Sequence, residues 1–171
     1  MILLQPVEDL AFNIVAFVLV ARGAHLAALQ ESGLRLDDPE RSRTLRLPAV
    51  GGVGEVGWQA HDVAVLCTKT QDTEAVLDEL RAVAPDVPVV CAQNGVANED
   101  MALRYFPNVH AVTVMMPAGY AEPGVVTIGC EPRYGIFDIG RYPFGRDAAD
   151  DALAEVLNAA NIAAFVREDA M

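Results

Sequence analysis

The stretch DVAVLCTKTQDTEAVLDELRAVAPDVPVVCA, residues 62–92, decides the fold class. It opens on an apolar run, Asp62 to Thr68 (DVAVLCT), with no polar alternation. Such a run reads as a strand buried on both faces. Asp72 to Ala84 follows, with Val76, Leu77, Leu80 and Val83 at helical spacing and Asp72 placed to cap the start. Pro88 to Ala92 (PVVCA) returns as a second apolar strand. Strand, amphipathic helix and strand form the repeating unit of a parallel sheet, because parallel neighbours need a crossover between them.

The same alternation extends in both directions. Upstream, Val15 to Ala21 (VAFVLVA) is a buried strand. His25 to Glu31 is a short helix stopped by Gly33, and Leu34–Leu36 and Thr44–Leu47 are short strands around a polar turn at Asp37–Arg43. The most apolar stretch, residues 10–21 (LAFNIVAFVLVA), is too short to span a bilayer and lacks the flanks of a signal peptide, so a buried strand and no membrane partner are expected. Downstream, Asn98 to Tyr105 is a helix and His110 to Met116 a strand. Val125–Ile128 and Tyr134–Ile139 read as an antiparallel pair joined at Glu131–Arg133. Asp147 to Ala160 is an amphipathic helix, and Ile162 to Val166 closes the sheet. The fold class is α/β: a doubly wound, mostly parallel sheet with an antiparallel strand pair near the C-terminal part.

With 171 residues, 53% of them hydrophobic, the chain can bury one core and is short for two. Its formal net charge of -12 repels phosphate backbones, so nucleic acid is not an expected partner, although a local basic pocket can still hold a small phosphate. Cys67, Cys91 and Cys130 are an odd set without close spacing. They point to neither a disulfide framework nor zinc, and read as three buried thiols in a reducing cytoplasm. His25, His61 and His110 are scattered, so no metal site is expected.

Gly52-Val53-Gly54-Glu55-Val56-Gly57 matches G-x-G-x-x-G by letter. That motif cradles phosphate only where the turn opens a helix, and here Trp58 to His61 lead into a strand instead. It reads as a glycine-rich connection. Three other features fall at strand ends, where ligands of doubly wound sheets lie. Arg22 follows the first buried strand, where an arginine can accept the 2′-phosphate of NADP. Lys69 follows the second, and can meet a phosphate or a ribose hydroxyl. Asn94 follows the third, and its amide both donates and accepts. Alone, each has an ordinary reading: an exposed arginine, a solvated loop lysine, an Asn-Gly turn. Together they face one crevice.

In this order, Ala21-Arg22-Gly23-Ala24-His25-Leu26, Thr68-Lys69-Thr70-Gln71-Asp72-Thr73, Gln93-Asn94-Gly95-Val96, Met116-Pro117-Ala118 and Gly135-Ile136-Phe137-Asp138-Ile139-Gly140 resemble the ketopantoate reductases (2-dehydropantoate 2-reductases). The resemblance runs from about Val15 to the C-terminus. It implies a Rossmann-like NADP-binding domain over 15–171, after a divergent segment 1–14. In the family that domain is joined to a helical C-terminal substrate domain, which this chain lacks. The implied activity is hydride transfer from NADPH to the ketone of ketopantoate or a related 2-keto acid, a cytoplasmic step of pantothenate biosynthesis. By the same resemblance Arg22 meets the adenosine 2′-phosphate and Lys69 the cofactor ribose. Asn94 lies near the nicotinamide ribose and the substrate, and the segment at Ala118 and Gly119 passes the nicotinamide end. The family's first strand and glycine-rich turn have no counterpart in residues 1–14, which replace that strand at most in part. The family's catalytic lysine lies in the domain absent here, so no catalytic residue is assigned. The chain therefore reads as a fragment, incomplete as an enzyme. A non-catalytic nucleotide-binding module, or an assembly module forming homo-oligomers or taking up a separate helical domain, is the alternative.

Overall fold

A computed structural model describes residues 1–6 and 15–170. The apolar runs become strands and the periodic stretches become helices. β1 (Ile2–Pro6), β2 (Val15–Val20), α1 (Gly23–Ser32), β3 (Leu34–Asp37), β4 (Ser42–Leu45) and β5 (Ala49–Val50) make the first third. β6 (Val63–Leu66), α2 (Thr70–Val83), β7 (Val89–Cys91), α3 (Asn98–Leu103) and β8 (Val109–Met115) form the middle. β9 (Ala118–Glu122), β10 (Val125–Ile128), β11 (Gly135–Arg141), α4 (Ala148–Ala159) and β12 (Ile162–Val166) complete the chain. The part of the apolar stretch that covers residues 10–14 lies outside the described residues.

Eight strands form one sheet in the order β12-β11-β8-β7-β6-β1-β2-β5. β2 and β5 are parallel, as are β6, β7 and β8. β1 lies between the two groups and runs antiparallel to both neighbours, Leu3 facing Val18 on one side and Ala64 on the other. Two antiparallel steps restore the direction, so β2, β5, β6, β7 and β8 all present their carboxyl ends at one edge. The central position, which the family resemblance leaves without its strand, is thus filled by Ile2–Pro6 in reversed direction.

β6 and β7 are buried along nearly their whole length, as expected of strands covered on both faces. Leu66, Val89 and Cys91 point to one layer, where Leu77 and Leu80 of α2, Phe106 and Val109 pack. Val65 and Val90 point to the other, against Val112, Phe137, Ile139 and Ala164 and under Ala154 of α4. α4 begins at Asp147, whose carboxylate accepts from the Ala149 amide (2.9 Å) while Asp150 accepts from the Asp147 amide (2.8 Å). That reciprocal capping box fixes the helix start. Gly33 ends α1 with φ 85°, and a Cβ there would meet the Leu45 carbonyl at 2.7 Å, so only glycine fits this stop.

Three expectations are corrected. Val125–Ile128 does not pair with the strand that follows it. β10 joins a second sheet, β4-β3-β10-β9, parallel to β3 and antiparallel to β9, while β11 pairs antiparallel with β8 and parallel with β12. β10 folds back on the strand before it rather than the one after it and takes β3 as its second neighbour, which the turn at Glu131–Arg133 cannot reveal. Asp72 does not cap α2, because the helix starts two residues earlier with Lys69 in the cap position, and Asp72 falls in its first turn. Cys67 is exposed at the end of β6 rather than buried, whereas Cys91 is buried and Cys130 half-buried.

Candidate functional site

The candidate site lies at the carboxyl ends of β2, β6 and β7. Arg22 follows β2 and occupies the cap position of α1 with extended backbone. Lys69 follows β6 and precedes α2. Asn94 follows β7 in the turn closed by Gly95, which has φ 102°. All three side chains are exposed. Gly119, the fourth expected residue, lies on β9 of the second sheet, four residues past the end of β8. It pairs with Thr127, and no hydrogen bond among the described residues ties it to the other three.

The guanidinium of Arg22 is 74% exposed and meets the Asp72 carboxylate at 3.1 Å, with Asp72 41% exposed. An exposed pair of this kind adds about 0–1 kcal/mol at most. Lys69 has no ion pair among the described residues.

A buried amide and hydroxyl network sets the height of these loops. Gln93 donates from Nε2 to the Thr68 carbonyl (2.8 Å) and to the Thr73 hydroxyl (2.7 Å). Asn98 donates to the Asn94 carbonyl (3.3 Å). Gln93, Thr73 and Asn98 are all buried, so this network ties the Lys69 loop to the Asn94 turn. Sequence reasoning missed Thr73 and Asn98. Thr73 lies on the same face of α2 as Leu77 and Leu80, and a lone hydroxyl on that apolar face was the available signal.

The Gly52–Gly57 connection does not cradle an anion. It contains one short turn, Val53–Glu55, rather than a helix start. The Glu55 carboxylate already accepts from the Gly51 amide at 3.1 Å, and Val53 is buried. His25 lies one turn into α1. Its Nδ1 accepts from the Gly124 amide (3.0 Å), and its ring meets Tyr120 edge-on at 5.2 Å. These contacts hold the β9–β10 hairpin against the helix that Arg22 begins.

Glu99, in the first turn of α3, is 1% exposed, and neither carboxylate oxygen has a hydrogen-bond partner among the described residues. Burial, and then the negative charge of Asp100, hold its pKa above the ordinary carboxylate value, its own backbone amide pulling the other way. The folded chain therefore keeps the proton where the unfolded chain has released it. Stability falls as pH rises through the ordinary glutamate value of about 4.3. Glu99→Gln is expected to flatten that fall and to add about 1–3 kcal/mol at pH 7 in urea unfolding. A stability loss at pH 7 would show that the ionised carboxylate is needed.

The order of the six strands β5-β2-β1-β6-β7-β8 defines the class: a doubly wound sheet of the Rossmann type. Residues 9–143 match the family model of ketopantoate reductase PanE/ApbA. The chain belongs to that family. It is 28% identical over 152 residues to a 2-dehydropantoate 2-reductase of Pyrococcus abyssi, covering 89% of this chain and 48% of the relative. A PanE/ApbA family ketopantoate reductase from Ralstonia eutropha JMP134 superposes with a TM-score of 0.73 at 26% identity, covering 88% of this chain and 48% of that one. A D-mandelate dehydrogenase with NADH and anilino(oxo)acetate gives a TM-score of 0.75 at 25% identity, covering 90% and 49%. The chain thus spans about half the length of the relatives it matches. Among the described residues, no helix is long and apolar enough to cross a membrane.

Proposed function

We propose that this chain is the NADPH-binding half of a 2-keto-acid reductase of the 2-dehydropantoate 2-reductase kind. The observation that carries the reading is the convergence of Arg22, Lys69 and Asn94 at the carboxyl ends of three strands on one edge, on both sides of the central strand. That is the crevice where doubly wound sheets take dinucleotides. The adenosine end fits: the Arg22 guanidinium is exposed and reaches outward from a helix start, suited to a ribose 2′-phosphate. Lys69, exposed and without an ion pair among the described residues, suits the ribose that follows. Asn94 suits the nicotinamide ribose and the keto acid, and Gly119 suits close passage of the nicotinamide end. The pyrophosphate has less to meet, since β1 runs antiparallel to both neighbours and so ends at the opposite edge.

Bound NADPH supplies the hydride that reduces the keto carbon. This chain's share is to bind and orient the cofactor, and no residue in it is assigned the proton transfer to the resulting alkoxide. Calorimetric titration with NADPH and with NADH tests the reading. Micromolar NADPH binding is expected. Arg22→Ala should weaken NADPH by about 1–3 kcal/mol and NADH by less. Absence of binding by either nucleotide would overturn the nucleotide reading, and equal losses for both would remove Arg22 from the 2′-phosphate.

A further inference from the structure

Acidic and basic readers of the adenosine ribose usually exclude one another. A carboxylate at the end of the second strand takes the 2′-hydroxyl of NAD, and an arginine takes the 2′-phosphate of NADP. This crevice holds both, and they touch. Arg22 leaves the end of β2, Asp72 projects from the first turn of α2, and their charged atoms lie 3.1 Å apart. The two come from strands on opposite sides of β1, so the pair spans the crevice. Asp72 is also held where a carboxylate is favoured, in the first turn of a 14-residue helix whose amino end carries partial positive charge.

We propose that Asp72 is a specificity-determining residue that lowers this crevice's preference for a 2′-phosphate and brings NADH within reach of the same site. The inference rests on the nucleotide reading above. A 2′-phosphate that approaches Arg22 must displace Asp72 or lie beside it. Displacement breaks the existing pair, and proximity sets like charges a few ångströms apart. A 2′-hydroxyl meets no such penalty. It donates to the Asp72 carboxylate while Arg22 keeps that carboxylate oriented. Glu55 adds no second barrier of this kind, since its carboxylate is turned to the Gly51 amide.

Asp72→Asn keeps an acceptor for a 2′-hydroxyl and removes the charge. It lies at an exposed position outside the packed face of α2, so folding is not at stake, and thermal unfolding of the variant confirms it. Calorimetric titration of the wild-type chain and Asp72→Asn with NADPH and NADH reads the effect. The expected result is about fivefold tighter NADPH, the scale of relieving like charges a few ångströms apart in water, with NADH changed less than about twofold. The gain should shrink in high salt. A NADPH-to-NADH ratio that does not move overturns the role of Asp72 while leaving nucleotide binding intact. Failure of both nucleotides to bind either protein overturns the nucleotide reading and the inference with it.

Discussion

Replacing Asp150 with alanine is expected to cost about 3–5 kcal/mol of stability, among the largest losses available in this chain. Asp150 is fully buried and accepts from His110 Nδ1 at 2.7 Å, and His110 is 1% exposed. Its second oxygen accepts from the Asp147 amide and completes the capping box of α4. The other imidazole nitrogen, Nε2, has no hydrogen-bond partner among the described residues and lies 3.9 Å from the Asp147 carboxylate. Alanine at 150 therefore strands a buried imidazole with neither nitrogen satisfied, and releases a helix start in the same stroke. Urea unfolding of Asp150→Ala, His110→Ala and the double variant separates these effects. A cost below about 1 kcal/mol for Asp150→Ala would mean that water reaches the imidazole. Asp150→Asn, which keeps one acceptor, should lie between the two extremes.

Phe106→Ala should cost about 3–5 kcal/mol for a different reason. Phe106 is the largest fully buried side chain of the chain's described part, at 1% exposure. It packs with Leu66, Leu77, Leu80, Cys91 and Val109, so its ring joins α2, α3 and the three adjacent strands β6, β7 and β8 into one layer. Truncation leaves a cavity with no side chain free to fill it, since its neighbours are themselves fully buried. The urea midpoint should fall with the slope unchanged. A change in slope instead would point to altered compactness of one of the two states.

Residues 62–92 carried the fold class because a strand buried on both faces and an amphipathic helix have different periods, and both periods were present. Helix α4 and strand β12 were legible for the same reason. What could not be read was anything decided by long-range pairing. β10 has ordinary strand composition, and nothing in it says whether β9, β3 or β11 will be its neighbour. The direction of β1 was equally hidden, because an apolar strand reads the same in either direction. At the site, Arg22, Lys69 and Asn94 were legible as polar residues at the ends of apolar runs. Asp72 reads as a helix cap in the sequence because an acid near a helix start serves that purpose most often. Its meeting with Arg22 depends on two loops separated by 50 residues and brought together only by the sheet.

The reversed central strand has a practical consequence at the bench. Because β1 runs opposite to its neighbours, Met1 lies at the same edge as Arg22 and Lys69, with its nitrogen 3.1 Å from the Val20 carbonyl and its own carbonyl accepting from the Val20 amide at 3.0 Å. Any residues joined ahead of Met1 emerge over the crevice. An amino-terminal purification tag would therefore crowd the place where nucleotide is to be measured and disturb the end of the ladder that holds the sheet halves together. The described carboxyl end lies laterally apart from β1, as the Ala170 carbonyl accepts from the Thr113 hydroxyl of β8, three strands away in the sheet, at 2.7 Å. Protein for the titrations is best made with its handle at the carboxyl end, or with the amino-terminal handle cleaved to leave Met1.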